Sequence, residues 1–122
     1  MKNRKFAARL GFALAGWRAA WGRERSFRTQ AGLAGVAVIA LAALRPAPIW
    51  WGIVALTAAL VLAFEMINSA LEALIDLLHP GIHSEIKVMK DMLAGAVLMI
   101  SVAALAVGIA LVVANASRIL GV

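Results

Sequence analysis

The sequence has no cysteine in 122 residues, which excludes a disulfide framework and any thiolate metal site. Acids are scarce too: six Asp and Glu stand against twelve Lys and Arg, for a formal charge of +6. There is no Walker A segment and no kinase-type Gly-rich loop with its later catalytic motifs, so phosphates would have to be held by other means. No cleavage-like site precedes a polar mature region, and the basic N-terminus is therefore expected to be retained. Charged residues make up 15% of the chain and hydrophobic ones 64%. That balance excludes an ordinary soluble domain, which is about half apolar and about a quarter charged.

What is present is apolar chain in three stretches of spanning size. The expected fold is an all-α membrane protein of one domain, with an N-terminal amphipathic surface helix over 1–28 and spans over 29–45, 49–78 and 92–114. Eight of the twelve bases (Lys2, Arg4, Lys5, Arg9, Arg18, Arg23, Arg25, Arg28) lie within the first 28 positions, interleaved with apolar residues. This spacing suits an anionic membrane surface and not a phosphate-tracking stripe, so no nucleic-acid partner is expected. On a helix, Phe6, Leu10, Phe12, Leu14, Trp17 and Trp21 contribute to a broad apolar face, with both tryptophans at headgroup depth.

The uninterrupted apolar part of the first span, Ala31 to Leu44, is short for a bilayer core about 30 Å thick. Either Arg45 snorkels or the span extends back through Thr29 and Gln30. Arg45-Pro46-Ala47-Pro48 then makes a turn, because proline lacks a backbone donor and restrains the residue before it. Trp50 and Trp51 anchor the start of the second helix, which His79-Pro80-Gly81 ends, and a polar stretch from Ile82 to Asp91 leads into the third. The N-terminal bases, Lys87 and Lys90 flank one side, which the positive-inside rule makes cytoplasmic.

The informative segment is the second helix. At about 100° per residue, Glu65, Asn68, Glu72 and Asp76 fall within an arc of roughly 80° and form one polar stripe. Glu65 lies roughly 22 Å inward from Trp50 at 1.5 Å per residue, with Glu72 and Asp76 nearer the cytoplasmic surface. A carboxylate at membrane depth costs at least ~2.5 kcal/mol, so it is expected to face protein or a wet cavity and to have a function. Glu65 is the candidate base for a hydroxyl proton. Stacked acids also require cations nearby, either metal ions or Lys and Arg. Lys87, Lys90 and Asp91 share a helical face across the loop, and lysine can contact phosphate as a point charge. Plainer readings stand beside these. Asp76 and Glu72 can pair with Lys87 or Lys90, the two lysines can serve topology alone, and His83 can be a solvated loop residue. Likewise Glu24, the one acid among the N-terminal bases, can pair with Arg28 at i+4.

The run Phe64-Glu65-Met66-Ile67-Asn68-Ser69-Ala70-Leu71-Glu72-Ala73-Leu74-Ile75-Asp76 closely resembles the signature of the prokaryotic diacylglycerol kinase and undecaprenol kinase family, Glu-x-x-Asn-Ser-Ala-x-Glu-x-x-x-Asp. Lys90-Asp91-Met92 with Ala94-Gly95-Ala96-Val97 resembles its second motif. Arg18-Ala19-Ala20-Trp21 with Glu24 and Phe27-Arg28 resembles its N-terminal part. The resemblance implies a homotrimer in the bacterial inner membrane, with cytoplasmic composite sites in which MgATP phosphorylates a lipid hydroxyl. It makes Glu65 the general base and Glu24 and Glu72 the Mg²⁺-coordinating carboxylates. Lys90, Asp91 and His83 fall at nucleotide-contacting positions, as does Lys5, which stands where the family has a phosphate-contacting Arg. Asn68 and Asp76 fall at supporting positions, and Phe27, Arg28 and Gln30 at positions near the lipid.

Two departures bear on the lipid. Gln30 stands where the diacylglycerol branch carries Glu, and Ala94-Gly95 is closer to the undecaprenol branch, whereas Arg18-Ala19-Ala20-Trp21 is closer to the diacylglycerol branch. Diacylglycerol is the expected acceptor, with undecaprenol the alternative. A small proton-coupled transporter is the rival of another class; it would use Glu65 but has no need of Glu24, Glu72, Lys90 and Asp91 together.

Overall fold

The computed structural model describes residues 5–79, 81 and 83–121. Lys2, Arg4, Pro80 and Ile82, which enter the readings above, lie outside the described residues. The described chain is helical throughout: α1 is Phe6–Arg23, α2 Arg25–Leu44, α3 Pro48–Leu78, α4 Ser84–Ala114 and α5 Ala116–Leu120. Three of these helices, α2, α3 and α4, are long and apolar enough to cross a membrane. They follow an N-terminal helix, which is the expected class of fold.

Helix lengths set what projects. With 20 residues, α2 is about 30 Å long and matches a hydrocarbon core of that thickness without excess. It reaches this length by starting at Arg25, so the helix does continue back through Thr29 and Gln30. Each of the 31-residue helices α3 and α4 is about 46 Å long and exceeds the same core by several turns. The excess carries Glu72 and Asp76 on α3 and Glu85 to Asp91 on α4. The polar stretch that leads into the third span is helical from Ser84 onward. His83 explains the early start: its Nδ1 accepts from the Glu85 backbone N–H at 3.1 Å, satisfying a donor that would otherwise be orphaned in the first turn.

Boundaries elsewhere follow from backbone chemistry. Glu24 is extended (φ −111°, ψ 109°) and separates α1 from α2. At the other end of α2, Arg45 adopts the left-handed conformation at φ 49°, since Pro46 bars the next residue from continuing the helix. Pro48 opens α3, where its missing N–H costs nothing. The carbonyls left free at the end of α2 are taken up by Arg118, whose guanidinium donates to Leu44 O at 2.8 Å and to Arg45 O. Asn115, between α4 and α5, donates its side-chain amide to Leu111 O at 2.9 Å.

The spans run antiparallel in sequence and converge at this end. Leu41, only 1% exposed, packs with Val54 and Leu111, flanked by Ala37, Leu44, Trp50 and Val107. Beside this cluster the three helices part around an open cleft of about 410 Å³, whose lining runs from Ala37, Val54 and Val107 to Gln30, Val61 and Ser101. The isolated chain exposes 9062 Å², against roughly 6300 Å² for a compact soluble protein of this mass. Residues such as Ile39, Leu98, Met99 and Leu105 account for the surplus. The fold therefore needs lipid or further protein around it, and little of its cohesion comes from a core of its own.

Removing the clasp on α2 should be measurable. Arg118→Ala should lower stability by roughly 1 kcal/mol, the net worth of a partly solvated hydrogen-bond pair, read as an earlier midpoint when the protein is unfolded by SDS in mixed micelles. An unchanged midpoint would mean that water replaces the guanidinium at no cost.

Candidate functional site

The polar stripe of α3 is held at three heights. Deepest is Glu65, which is 4% exposed and the one buried charged side chain among the described residues. Its Oε2 accepts a hydrogen bond from Ser26 Oγ at 3.0 Å, a contact that joins the first turn of α2 to the middle of α3. Sequence reasoning did not single out Ser26. It sits two residues after Glu24 in a basic segment, and no periodicity points a serine there at an acid 39 positions away. Phe27, beside it, is buried at 8% and packs the start of α2 down. The space beside Gly16 of α1 is met by the Met66 methyl, so α1 touches α3 at the residue next to Glu65.

One turn further, Asn68 has a buried Oδ1 with no hydrogen-bond partner among the described residues. Buried amide oxygens are normally satisfied, so this atom is an exception among the described residues. At the top of the stripe, Lys90 Nζ meets Asp76 Oδ1 at 2.6 Å, clamping α4 to α3, and Glu72 adds a second negative charge to its surroundings. Lys87 pairs instead with Asp91 at 2.6 Å along the same helix. The plain reading of Asp76 as an ion-pair partner is thus realised, with Lys90 and not Lys87.

The remaining candidates are not drawn into this cluster. Arg28 does not pair with Glu24; its Nη1 donates to Trp21 O at 2.6 Å, which leaves the half-buried Glu24 carboxylate without an ion-pair partner among the described residues. Lys5 precedes α1 and is exposed, with no polar side-chain contact to the α3–α4 residues. His83 is exposed and spends Nδ1 on the α4 cap, so Nε2 is the nitrogen left to face a ligand. Gln30 lines the cleft. No group of three or more His, Asp or Glu side chains converges as a metal cage among the described residues.

Comparison with known proteins decides the family. The prokaryotic diacylglycerol kinase family matches residues 11–112. The chain belongs to this family. A diacylglycerol kinase from Synechocystis sp. is similar to it, at 40% identity over 99 residues, which is 80% of this chain and 56% of that relative. The chain thus spans a little over half the length of the curated relative it matches. Membership of the prokaryotic diacylglycerol kinase family, together with three span-capable helices, makes this a membrane protein. The matched region takes in every stripe residue from Glu65 to Asp76 and the Lys90-Asp91 pair, and leaves Lys5 outside.

The exposure of Lys90 and Asp76, 39% and 61%, keeps their pairing cheap to break. A double-mutant cycle on Lys90→Ala and Asp76→Ala should give a coupling to stability below about 1 kcal/mol, as for other solvated pairs. A coupling of several kcal/mol would show a desolvated pair, closed to any phosphate.

Proposed function

We propose that the protein is a membrane lipid kinase that transfers the γ-phosphate of ATP to a lipid hydroxyl, with diacylglycerol as the acceptor and phosphatidic acid as the product. The carrying observation is the vertical order on α3. A buried carboxylate, Glu65, lies below a half-buried one, Glu72, and below a lysine that is free to exchange its partner. A lipid hydroxyl arrives from the bilayer and a nucleotide from water, and Glu65 and then Glu72 stand in that order along α3, with Lys90 reaching in from α4.

In this reading Glu65 accepts the hydroxyl proton as the lipid oxygen bonds to the γ-phosphorus, and the bond to the β–γ bridging oxygen breaks, leaving ADP. Lys90 releases Asp76 and turns its charge to the phosphates, a move made easy by the solvation of the pair. Asn68 Oδ1, short of a donor in the isolated chain, is suited to a bound group that brings one. His83 Nε2 and Asp91 are nucleotide contacts, and Lys5 is a phosphate contact from the N-terminal side. Phe27, Arg28 and Gln30 border the lipid, with Gln30 opening onto the cleft.

Glu24 and Glu72 are the carboxylates offered to Mg²⁺. Two carboxylates suffice, because Mg²⁺ on a nucleotide takes only one or two carboxylates beside phosphate oxygens and water. Bound there, Mg²⁺ would neutralise phosphate charge. A homotrimer with sites shared between subunits accommodates both the dispersed candidates and the large apolar surface of the isolated chain. The basic N-terminal segment with Lys87 and Lys90 supports an inner-membrane protein with its N-terminus and site on the cytoplasmic side.

The test is phosphate transfer from radiolabelled ATP in detergent–lipid micelles, with diacylglycerol and undecaprenol side by side. Labelled phosphatidic acid alone is the expected result; label in undecaprenol alone would move the chain to the other branch, and label in neither would turn the reading toward proton-coupled transport. Glu65→Gln should reduce kcat by at least about a hundredfold, the usual worth of a general base, while MgATP binding is retained. Glu72→Gln should raise the Mg²⁺ concentration needed for half-maximal activity, and an unchanged metal titration would remove Glu72 from the metal's ligands.

A further inference from the structure

We propose that Ser26 is a positioning residue for the base, holding the Glu65 carboxylate by one oxygen so that the other is presented to the substrate hydroxyl. The inference rests on the reading of Glu65 as the base and extends it to a residue on another helix.

Three observations carry it. Ser26 Oγ donates to Glu65 Oε2 at 3.0 Å, and no other hydrogen bond to this carboxylate exists among the described residues. Oε1 therefore keeps its lone pairs for an incoming proton. Second, Glu65 is 4% exposed, so water cannot do what the hydroxyl does. A glutamate has three side-chain rotors to freeze, and the hydroxyl of Ser26, a residue that is itself exposed, reaches the buried carboxylate to fix them. A general base must lie within hydrogen-bond reach of its proton in the reactive pose, and small misplacements cost rate steeply.

The third observation is where Ser26 stands. It lies in the first turn of α2, two residues beyond Glu24, the extended residue at which α1 gives way to α2. Phe27 anchors the same turn by burial. The hydroxyl thus sets the start of α2 against the middle of α3, and with it the distance between the Glu24 junction and the base. Ser26 makes no side-chain hydrogen bond within α2 and spends its hydroxyl on α3 instead.

The experiment uses the full chain in mixed micelles and compares wild type, Ser26→Ala and Ser26→Thr for kcat, KM for ATP, KM for lipid, and equilibrium MgATP affinity. Ser26→Ala should lower kcat about tenfold, as expected when a hydrogen bond to a charged group is lost from the reactive state. Its MgATP affinity should stay within about twofold of wild type, since the lost bond does not touch the nucleotide. Ser26→Thr, which keeps the hydroxyl, should restore most of the loss. Wild-type kcat in Ser26→Ala overturns the proposal. So does an equal loss in both variants together with weakened MgATP binding, which is the signature of a packing role. A wild-type protein that labels neither lipid removes the kinase reading itself, and that result is separate because it precedes any comparison of variants.

Discussion

Everything in this molecule is arranged around one costly group, the Glu65 carboxylate inside an apolar helix bundle. Burying a charge without partners is prohibitive, and the chain meets the demand with very little: a serine hydroxyl from the start of α2, and α1 set against the neighbouring Met66. That requirement explains why α1 and α2 are separate helices. A continuous rod through Glu24 would carry the basic segment out along the axis of α2, whereas the extended residue at 24 lets α1 turn away and pass over α3. The break, the hydroxyl and the buried acid are therefore one structural unit.

The opposite end of the bundle follows different rules. There the helices close on Leu41, Val54 and Leu111, and Arg118 takes the spare carbonyls of α2. Packing and backbone satisfaction hold this end together, and nothing in it resembles a site. Between the two ends the helices stand apart around the cleft.

The charge pairs divide the labour among the bases. Lys87 is satisfied along its own helix by Asp91, while Lys90 reaches across to Asp76 and has Glu72 nearby. Lys90 is thus the lysine that couples α4 to the stripe, and a solvated partner leaves it exchangeable. Arg28 is committed to the Trp21 carbonyl, which spares Glu24 from an ion pair with it. In the proposed function each of these local choices has a use.

Much of the architecture was legible from composition and spacing. Long apolar runs have to become helices where the backbone must satisfy itself, and prolines at 46 and 48 mark a break between two of them, so three span-capable helices after an N-terminal helix could be read from the sequence. The stripe was legible for the same reason: residues 65, 68, 72 and 76 share a face by helical geometry alone. The helical face of Lys87, Lys90 and Asp91 was legible too, while the starting residue Ser84 depends on a histidine acting as a cap, and hydropathy carries no trace of that. Ser26 was hidden more deeply. Periodicity relates residues within one helix, while the approach of α2 to α3 is set by how two helices pack, so only the tertiary structure could bring a serine at 26 to a glutamate at 65.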